Sequence, residues 1–124
     1  MALDGAFLRT IKNEIEAAAI GSRIDKIQQP SREELIFQLR SKGWSGKLLL
    51  SAGADSPRIH FTERPFENPK TPPMFCMFLR KHLSGAKLTA VRQLDMDRVL
   101  YLDFEATDEL GDQKNVTVAV ELMG

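Results

Sequence analysis

The spacing of apolar residues changes at Gly21, and no other feature of the sequence constrains the fold as much. Before Gly21 the apolar residues recur about every four positions, which predicts an amphipathic helix that Asp4 is placed to cap. A hydrophobic staple is expected at the start of this helix. The residues that mark the helix are Phe7, Ile11 and Ile15, and the expected staple pairs Leu3 with Leu8.

After Gly21 the pattern alternates with a period of two, which is typical of strands whose two faces differ in polarity. Turn residues separate the apolar runs, so we expect a meander of short strands. The turn from Gly43 to Gly46 is expected to join the second and third strands as a hairpin. The predicted strands span residues 23–28, 35–40, 47–51 and 58–62.

A proline-rich connection, with Pro65, Pro69, Pro72 and Pro73, is expected to be an extended loop because each proline disfavours helix at the residue before it. Thr71 is expected to cap a second helix that accepts Pro72 and Pro73 in its first turn and ends at Ser84-Gly85. Its segment Met74 to Phe78 is so apolar that we expect it to be buried. Three further strands are predicted at residues 87–94, 99–105 and 116–122.

This order of elements predicts an α+β fold, an antiparallel two-sheet β-sandwich or flattened barrel with flanking helices. The 124 residues, of which 43% are hydrophobic, suit one domain over residues 1–124. No run reaches the roughly 18 apolar residues of a membrane span, and the amino terminus does not resemble a secretion signal, so we expect a cytoplasmic protein. The chain stops just after a predicted strand, and we therefore expect the natural protein to be longer.

The formal net charge of zero hides an uneven distribution of charge along the chain. Residues 1–102 hold 16 Lys and Arg against 11 Asp and Glu, while residues 103–124 hold 1 against 6. The two parts therefore carry +5 and −5. Because binding to a polyanion depends on Lys and Arg, we expect the acidic part to lie away from any basic binding face.

The residues give little support to an enzyme. Asp95, Asp97 and Asp103 could form an acid/base pair, but their separation along the chain favours turn capping instead. Cys76 lies in an apolar run and is better explained as a core thiol than as a nucleophile, and His60 alternates with apolar neighbours and so points away from the core. There is no glycine-rich phosphate loop, and one cysteine with two histidines makes a metal site improbable. We expect no cofactor.

Two groups of residues suggest binding. Arg80, Lys81 and His82 stand together at the end of the second helix, where cations also serve simply to cap carbonyl groups. Asp97 and Arg98 lie at a turn, where the arginine fork suits phosphate or a base edge. From the chemistry alone, a structural salt bridge explains this pair slightly better.

Several segments taken together resemble the amino-terminal domain of the NFACT family, whose bacterial members are often called fibronectin-binding protein A. The resemblance covers the whole chain. Its most specific part is a run of twelve residues at the second helix. The matching segments are Leu3-Asp4-Gly5, Arg23 to Pro30, Leu48 to Ala52, Pro72 to Leu83, Asp97-Arg98 and Val120 to Gly124.

The resemblance implies a ribosome-associated quality control factor that binds the large ribosomal subunit carrying peptidyl-tRNA. Such a factor recruits tRNA, of alanine type in bacteria, for template-free tailing of the stalled chain. It implies that Asp97 and Arg98 contact tRNA, and it assigns no role to Arg80, Lys81 and His82, which stay possible RNA contacts. The family name leaves fibronectin, as the partner of a surface adhesin, as the alternative.

The resemblance also implies a fold similar to the amino-terminal domain of formamidopyrimidine-DNA glycosylases. Those enzymes react through an amino-terminal proline followed by glutamate. This chain begins Met1-Ala2-Leu3-Asp4 and has neither group there. We therefore expect a binding domain that does not catalyse a reaction.

Overall fold

The computed structural model describes residues 5–52 and 57–122, which form two helices and seven strands. In chain order the elements are α1 (Gly5–Ala19), β1 (Arg23–Ser31), β2 (Glu34–Ser41), β3 (Trp44–Ser51), β4 (Arg58–Thr62), α2 (Met74–Leu83), β5 (Lys87–Arg92), β6 (Val99–Thr107) and β7 (Gln113–Glu121).

The strands form one antiparallel sheet in the order β4-β3-β2-β1-β5-β6-β7. The two central strands share the fewest paired residues, because β1 and β5 pair in register only at Arg23 and Lys87. Further main-chain hydrogen bonds beside this pair also connect the two segments, including one from Leu88 N to Ser22 O of 2.8 Å. The short β1–β5 pairing divides the sheet into a four-stranded half, β4 to β1, and a three-stranded half, β5 to β7.

The two halves pack face to face, as a ring contact between β2 and β6 shows. Phe37 and Phe104 meet edge to face with their ring centroids 5.9 Å apart. In a flat sheet these strands would be three spacings apart, about 14 Å. The sheet is therefore strongly bent and encloses one hydrophobic core, although it is not closed into a barrel.

The predicted α+β fold of antiparallel strands with flanking helices is confirmed. The two layers of the predicted sandwich are the two halves of one continuous sheet. Helix α1 contacts β4 and β5, and α2 contacts β1 and β6, so each helix bridges the two halves. Both helices bury one face, at Leu8, Ile15 and Ala19 of α1 and at Cys76, Leu79 and Leu83 of α2.

The predicted hairpin between β2 and β3 exists, but its turn was placed too late in the sequence. Ser41 pairs with Trp44, so Lys42 and Gly43 form the turn, with Gly43 at φ 80°. Trp44 belongs to β3 because its ring packs edge to face on Phe61, with 5.7 Å between the centroids. This contact across strands outweighs the turn preference of the surrounding glycines.

The start of α2 also differs from the prediction. The helix begins at Met74, and its N-cap is Pro73 in an extended conformation without a side-chain capping bond. Thr71 is therefore not the cap, and the two prolines precede the first turn. The segment Met74 to Phe78 is buried only at Cys76, because α2 presents just one face to the core.

The remaining expectations concern the chain termini and membranes. The expected cap Asp4 and the staple residue Leu3 lie outside the described residues. Neither described helix has the length and apolar character needed to cross a bilayer.

Candidate functional site on the loop between β5 and β6

Asp97 and Arg98 lie in the loop that joins β5 to β6, and both side chains are exposed. Neither side chain makes a hydrogen bond or an ion pair with any residue that the structure describes. The structural salt bridge that the chemistry alone favoured is therefore not found among residues 5–52 and 57–122. The main chain on either side is fixed, since Asp97 N donates to Leu94 O and Arg98 O accepts from Leu122 N.

Gln93 ties this loop to the first turn of α1. Its Nε2 donates to Gly5 O at 3.0 Å and to Asp97 O at 2.7 Å. The residue is only 8% exposed, so both hydrogen bonds are largely shielded from water. An amide that bridges two main-chain carbonyls fixes the position of Asp97 relative to the helix.

Direct packing against α1 fixes the loop a second time. A Cβ on Gly5 would lie 1.9 Å from the carbonyl oxygen of Met96, far inside contact distance. Only glycine permits this approach, which explains why α1 begins with one. The loop and the helix therefore touch main chain to main chain.

A third link comes from the next turn of α1. The guanidinium of Arg9 donates through NH2 to the carbonyl oxygen of Asp95. Asp95 has φ 52°, a left-handed conformation that Asp tolerates better than most residues. The loop from residue 93 to residue 98 thus has a defined shape, while the side chains of Asp97 and Arg98 have no partner in the described part of the chain.

This arrangement suits the recognition of an anionic or hydrogen-bonding ligand. The Arg98 guanidinium offers a planar set of donors that matches phosphate oxygens or the acceptor edge of a base. The Asp97 carboxylate beside it accepts from an amino group. Because the main chain is already ordered, binding costs mainly the rotamer freedom of the two side chains.

Asp103, the third acid considered for catalysis, is engaged elsewhere. Its carboxylate accepts from Arg92 Nε at 2.5 Å, from Arg92 NH2 at 2.9 Å and from Thr117 Oγ1 at 2.7 Å. The bond from Arg92, and to a lesser extent that from Thr117, holds the pKa of Asp103 below its usual value. A carboxylate held ionised in this way does not act as a general acid near neutral pH.

The three basic residues at the end of α2 differ in their contacts. Arg80 Nε donates to Ile27 O of β1 at 2.9 Å, so this side chain is partly used in joining α2 to the sheet. His82 Nδ1 lies 3.1 Å from Lys114 Nζ, and its ring packs on Phe78 with 4.5 Å between the centroids. Lys81 is exposed and, within the described part of the chain, has no bonded partner.

The two predicted binding groups are not brought together. Arg98 directly precedes β6, whereas Lys81 and His82 border the same surface hollow as Thr107, at the other end of β6. Nine residues of extended chain separate Arg98 from Thr107, which is roughly 30 Å. A single small ligand does not reach both groups.

The interpretations of Cys76 and His60 agree with the structure. Cys76 is fully buried, with Sγ 3.6 Å from Ile27 O, and His60 is exposed while its neighbour Ile59 is buried. Across residues 5–52 and 57–122, no three His, Cys, Asp or Glu side chains are grouped as metal ligands would be.

The sequence interpretation did not identify Gln93, Gly5 or Arg9 as parts of this site. Gly5 was noted within the resemblance, and a glycine at the start of a helix indicates a close contact only when its neighbour is known. Gln93 bonds to Gly5, 88 positions away in sequence, and Arg9 bonds to Asp95, 86 positions away, and no local pattern reveals such pairs.

Comparisons with known proteins agree with this architecture. Residues 4–124 match the family described as NFACT N-terminal and middle domains. The chain is 40% identical over 124 residues to the Rqc2 homolog RqcH of Bacillus subtilis, covering all of this chain and 22% of that protein. It is 31% identical over 120 residues to the human ribosome quality control complex subunit NEMF, covering 90% of this chain and 11% of that protein.

Solved structures show the same fold. The amino-terminal domain of fibronectin-binding protein PavA from Streptococcus pneumoniae superposes with a TM-score of 0.95 at 40% identity, covering 99% of this chain and 48% of that one. The amino-terminal part of the fibronectin/fibrinogen-binding protein of Streptococcus suis gives 0.96 at 44% identity, covering 99% and 46%. The chain thus spans about a fifth of the bacterial relative and about half of these solved structures.

Proposed function

Because this chain belongs to the NFACT amino-terminal family, we propose that it is the part of a ribosome quality control factor that binds tRNA and the large ribosomal subunit. The names of its relatives support the general setting, since the bacterial and human proteins are both named for ribosome quality control. The fixed loop that carries Asp97 and Arg98 supports the more specific assignment to tRNA.

The observation that carries the proposal is the combination of a fixed backbone and unpartnered side chains. Loops are ordinarily held by whatever polar side chains they contain. Here the loop is held by contacts of three other residues, Gln93, Gly5 and Arg9. The side chains of Asp97 and Arg98 make no bond within the described part of the chain. A fixed main chain that presents two polar side chains without a partner among the described residues supports a ligand outside the chain.

RNA suits these two groups in chemical terms. Arg98 can donate two parallel hydrogen bonds to a phosphate or to the acceptor edge of guanine, and Asp97 can accept from the amino group of cytosine. Base edges of this kind are accessible in the unpaired loops of an RNA. A tRNA presents such loops beside a dense row of phosphates.

In this proposal the domain positions tRNA and performs no chemistry of its own. Peptide bonds in the template-free alanine tail are made by the ribosome, and the domain requires no cofactor. Contact with ribosomal RNA of the large subunit adds to the affinity, as expected when several weak contacts act together. The proposal places the protein in the cytoplasm, away from membranes.

Co-sedimentation in a cell extract at moderate salt tests the proposal. The natural-length protein should sediment with large subunits and with tRNA. The Asp97→Ala, Arg98→Ala double variant should remain folded and subunit-bound while losing tRNA. If the wild-type protein sediments with neither large subunits nor tRNA, the quality control assignment is refuted.

Fibronectin binding is the second candidate function, because two solved structures similar to this chain are described as a fibronectin-binding protein and a fibronectin/fibrinogen-binding protein. Arg98→Ala separates the two. Loss of tRNA with unchanged binding to immobilised fibronectin supports the RNA function, whereas fibronectin binding without any tRNA binding supports the adhesin.

A further inference from the structure

Helix α2 exposes an apolar surface that the core does not use. Met74, Phe75, Met77 and Phe78 are between 53% and 87% exposed, although only ten residues form the helix. Single exposed apolar residues are common, but a contiguous group of large ones on one element marks a contact surface.

This surface continues into a groove between α2 and β7. Two adjoining hollows of about 300 and 380 Å³ are both lined by Phe75, Val118 and Ala119. On the floor, Val116 and Val118 are only partly covered. Within the described residues β7 pairs with β6 alone, so one side of a nine-residue strand also has unpaired main-chain groups.

An unsatisfied polar atom lies at one end of the groove. Gln29 is 7% exposed, and its Oε1 is buried without a hydrogen-bond partner in the described structure, while its Nε2 faces Arg32 O at 3.4 Å. A buried amide oxygen without a donor costs stability. A main-chain N–H of a segment in the groove would satisfy it once the Gln29 side chain turns this oxygen toward the groove.

The lengths of the relatives indicate what covers the groove. The bacterial relative is about five times as long as this chain, and the solved amino-terminal structures are about twice as long. Glu121 at the end of β7 lines the groove, so any polypeptide that follows begins beside it. A tethered segment has a high effective concentration at a site so close to its attachment.

We propose that the polypeptide continues beyond residue 124 and that the continuation packs its apolar side chains into the groove between α2 and β7. The α2–β7 groove is then an internal domain contact, which fixes the direction in which the rest of the protein leaves this domain. This inference does not depend on the RNA function.

Hydroxyl-radical footprinting tests the inference in the natural-length protein without any substitution. Phe75 is 53% exposed and lines both hollows, whereas Phe7 on α1 is 50% exposed and lines neither, so the two form a matched pair. Hydroxyl radicals are generated in a solution of the RNA-free protein, and the modification rate of each phenylalanine is measured by peptide mass spectrometry. The unfolded protein supplies the reference rates.

A covered groove predicts that Phe75 is modified at least fivefold more slowly than in the unfolded protein, while Phe7 is slowed by less than about twofold. Equal protection of the two phenylalanines overturns the inference. Protection of Phe75 that disappears on dilution also overturns it, because the cover would then be a second copy. A natural polypeptide that ends at residue 124 overturns it as well.

Discussion

Gly5 of α1 and Met96 of the loop between β5 and β6 approach so closely that a Cβ on Gly5 would lie 1.9 Å from the Met96 carbonyl oxygen. This contact joins two segments about ninety residues apart in sequence. It places Asp97 and Arg98 relative to α1 without using either side chain. The position of the candidate site thus depends on a residue that has no side chain.

The first prediction concerns Gly5→Ala. The added methyl group forces Met96 away, which should lower the free energy of unfolding by about 1–3 kcal/mol and weaken tRNA binding by displacing Arg98. Chemical denaturation and equilibrium tRNA binding measure the two effects. The control is Gly111→Ala, which introduces strain at φ 85° where nothing lies within 4 Å of the new Cβ. It should cost stability but leave tRNA affinity unchanged.

The second prediction concerns Gln93→Leu. The substitution removes the hydrogen bonds to Gly5 O and Asp97 O, leaving two shielded carbonyls unsatisfied, so we expect a loss of about 1–3 kcal/mol. Hydrogen exchange should increase at the amides of residues 94–98. Gln113→Leu changes an exposed residue at the start of β7 and is the control. Unchanged exchange in the loop of the Gln93 variant would contradict the role given to Gln93.

The third prediction concerns the pH dependence contributed by Asp103. Its pKa is lowered in the folded protein, chiefly by the hydrogen bond from Arg92. The stability that the ionised carboxylate contributes is therefore fully present above its ordinary pKa of 3.8 and is lost as the pH falls through the lower folded value. The difference in unfolding free energy between wild type and Asp103→Asn should be constant above about pH 5 and should shrink below pH 4. A difference that grows on acidification would contradict the assignment.

The fourth prediction separates the neighbours Arg80 and Lys81. Arg80→Ala removes the donor to Ile27 O and should cost about 0.5–1.5 kcal/mol, whereas Lys81→Ala should change stability by less than about 0.5 kcal/mol. If Lys81 contacts RNA, its removal lowers the slope of log K against log salt by about 1. An unchanged slope would exclude Lys81 as a phosphate contact.

Much of the fold was predictable because its signals are local. The helical spacing of Phe7, Ile11 and Ile15 indicated α1, and the alternation after Gly21 indicated the strands. The β2–β3 turn was misplaced because the contact between Trp44 and Phe61 decides it, and those residues lie on different strands. Local turn preference is weaker than such cross-strand packing.

Two other features were not predictable from the sequence: the partial burial of α2 and the contacts that hold the loop between β5 and β6. Both depend on which elements lie next to each other in the folded chain. The composition of Met74 to Phe78 predicted a buried helix, but only the fold shows that one face alone reaches the core. The identities of Asp97 and Arg98 came from a family resemblance, whereas the bonds from Gln93 and Arg9 required coordinates.

The central claim is that Arg98 contacts tRNA, and a salt series of equilibrium binding measurements with labelled tRNA tests it most directly. Three natural-length proteins are compared: wild type, Arg98→Ala and the control Arg32→Ala, which removes an exposed arginine from the turn between β1 and β2. We predict that Arg98→Ala weakens binding by about 1–3 kcal/mol, roughly 5- to 140-fold, while Arg32→Ala binds like wild type. Equal affinity and equal salt slope for all three proteins would contradict it.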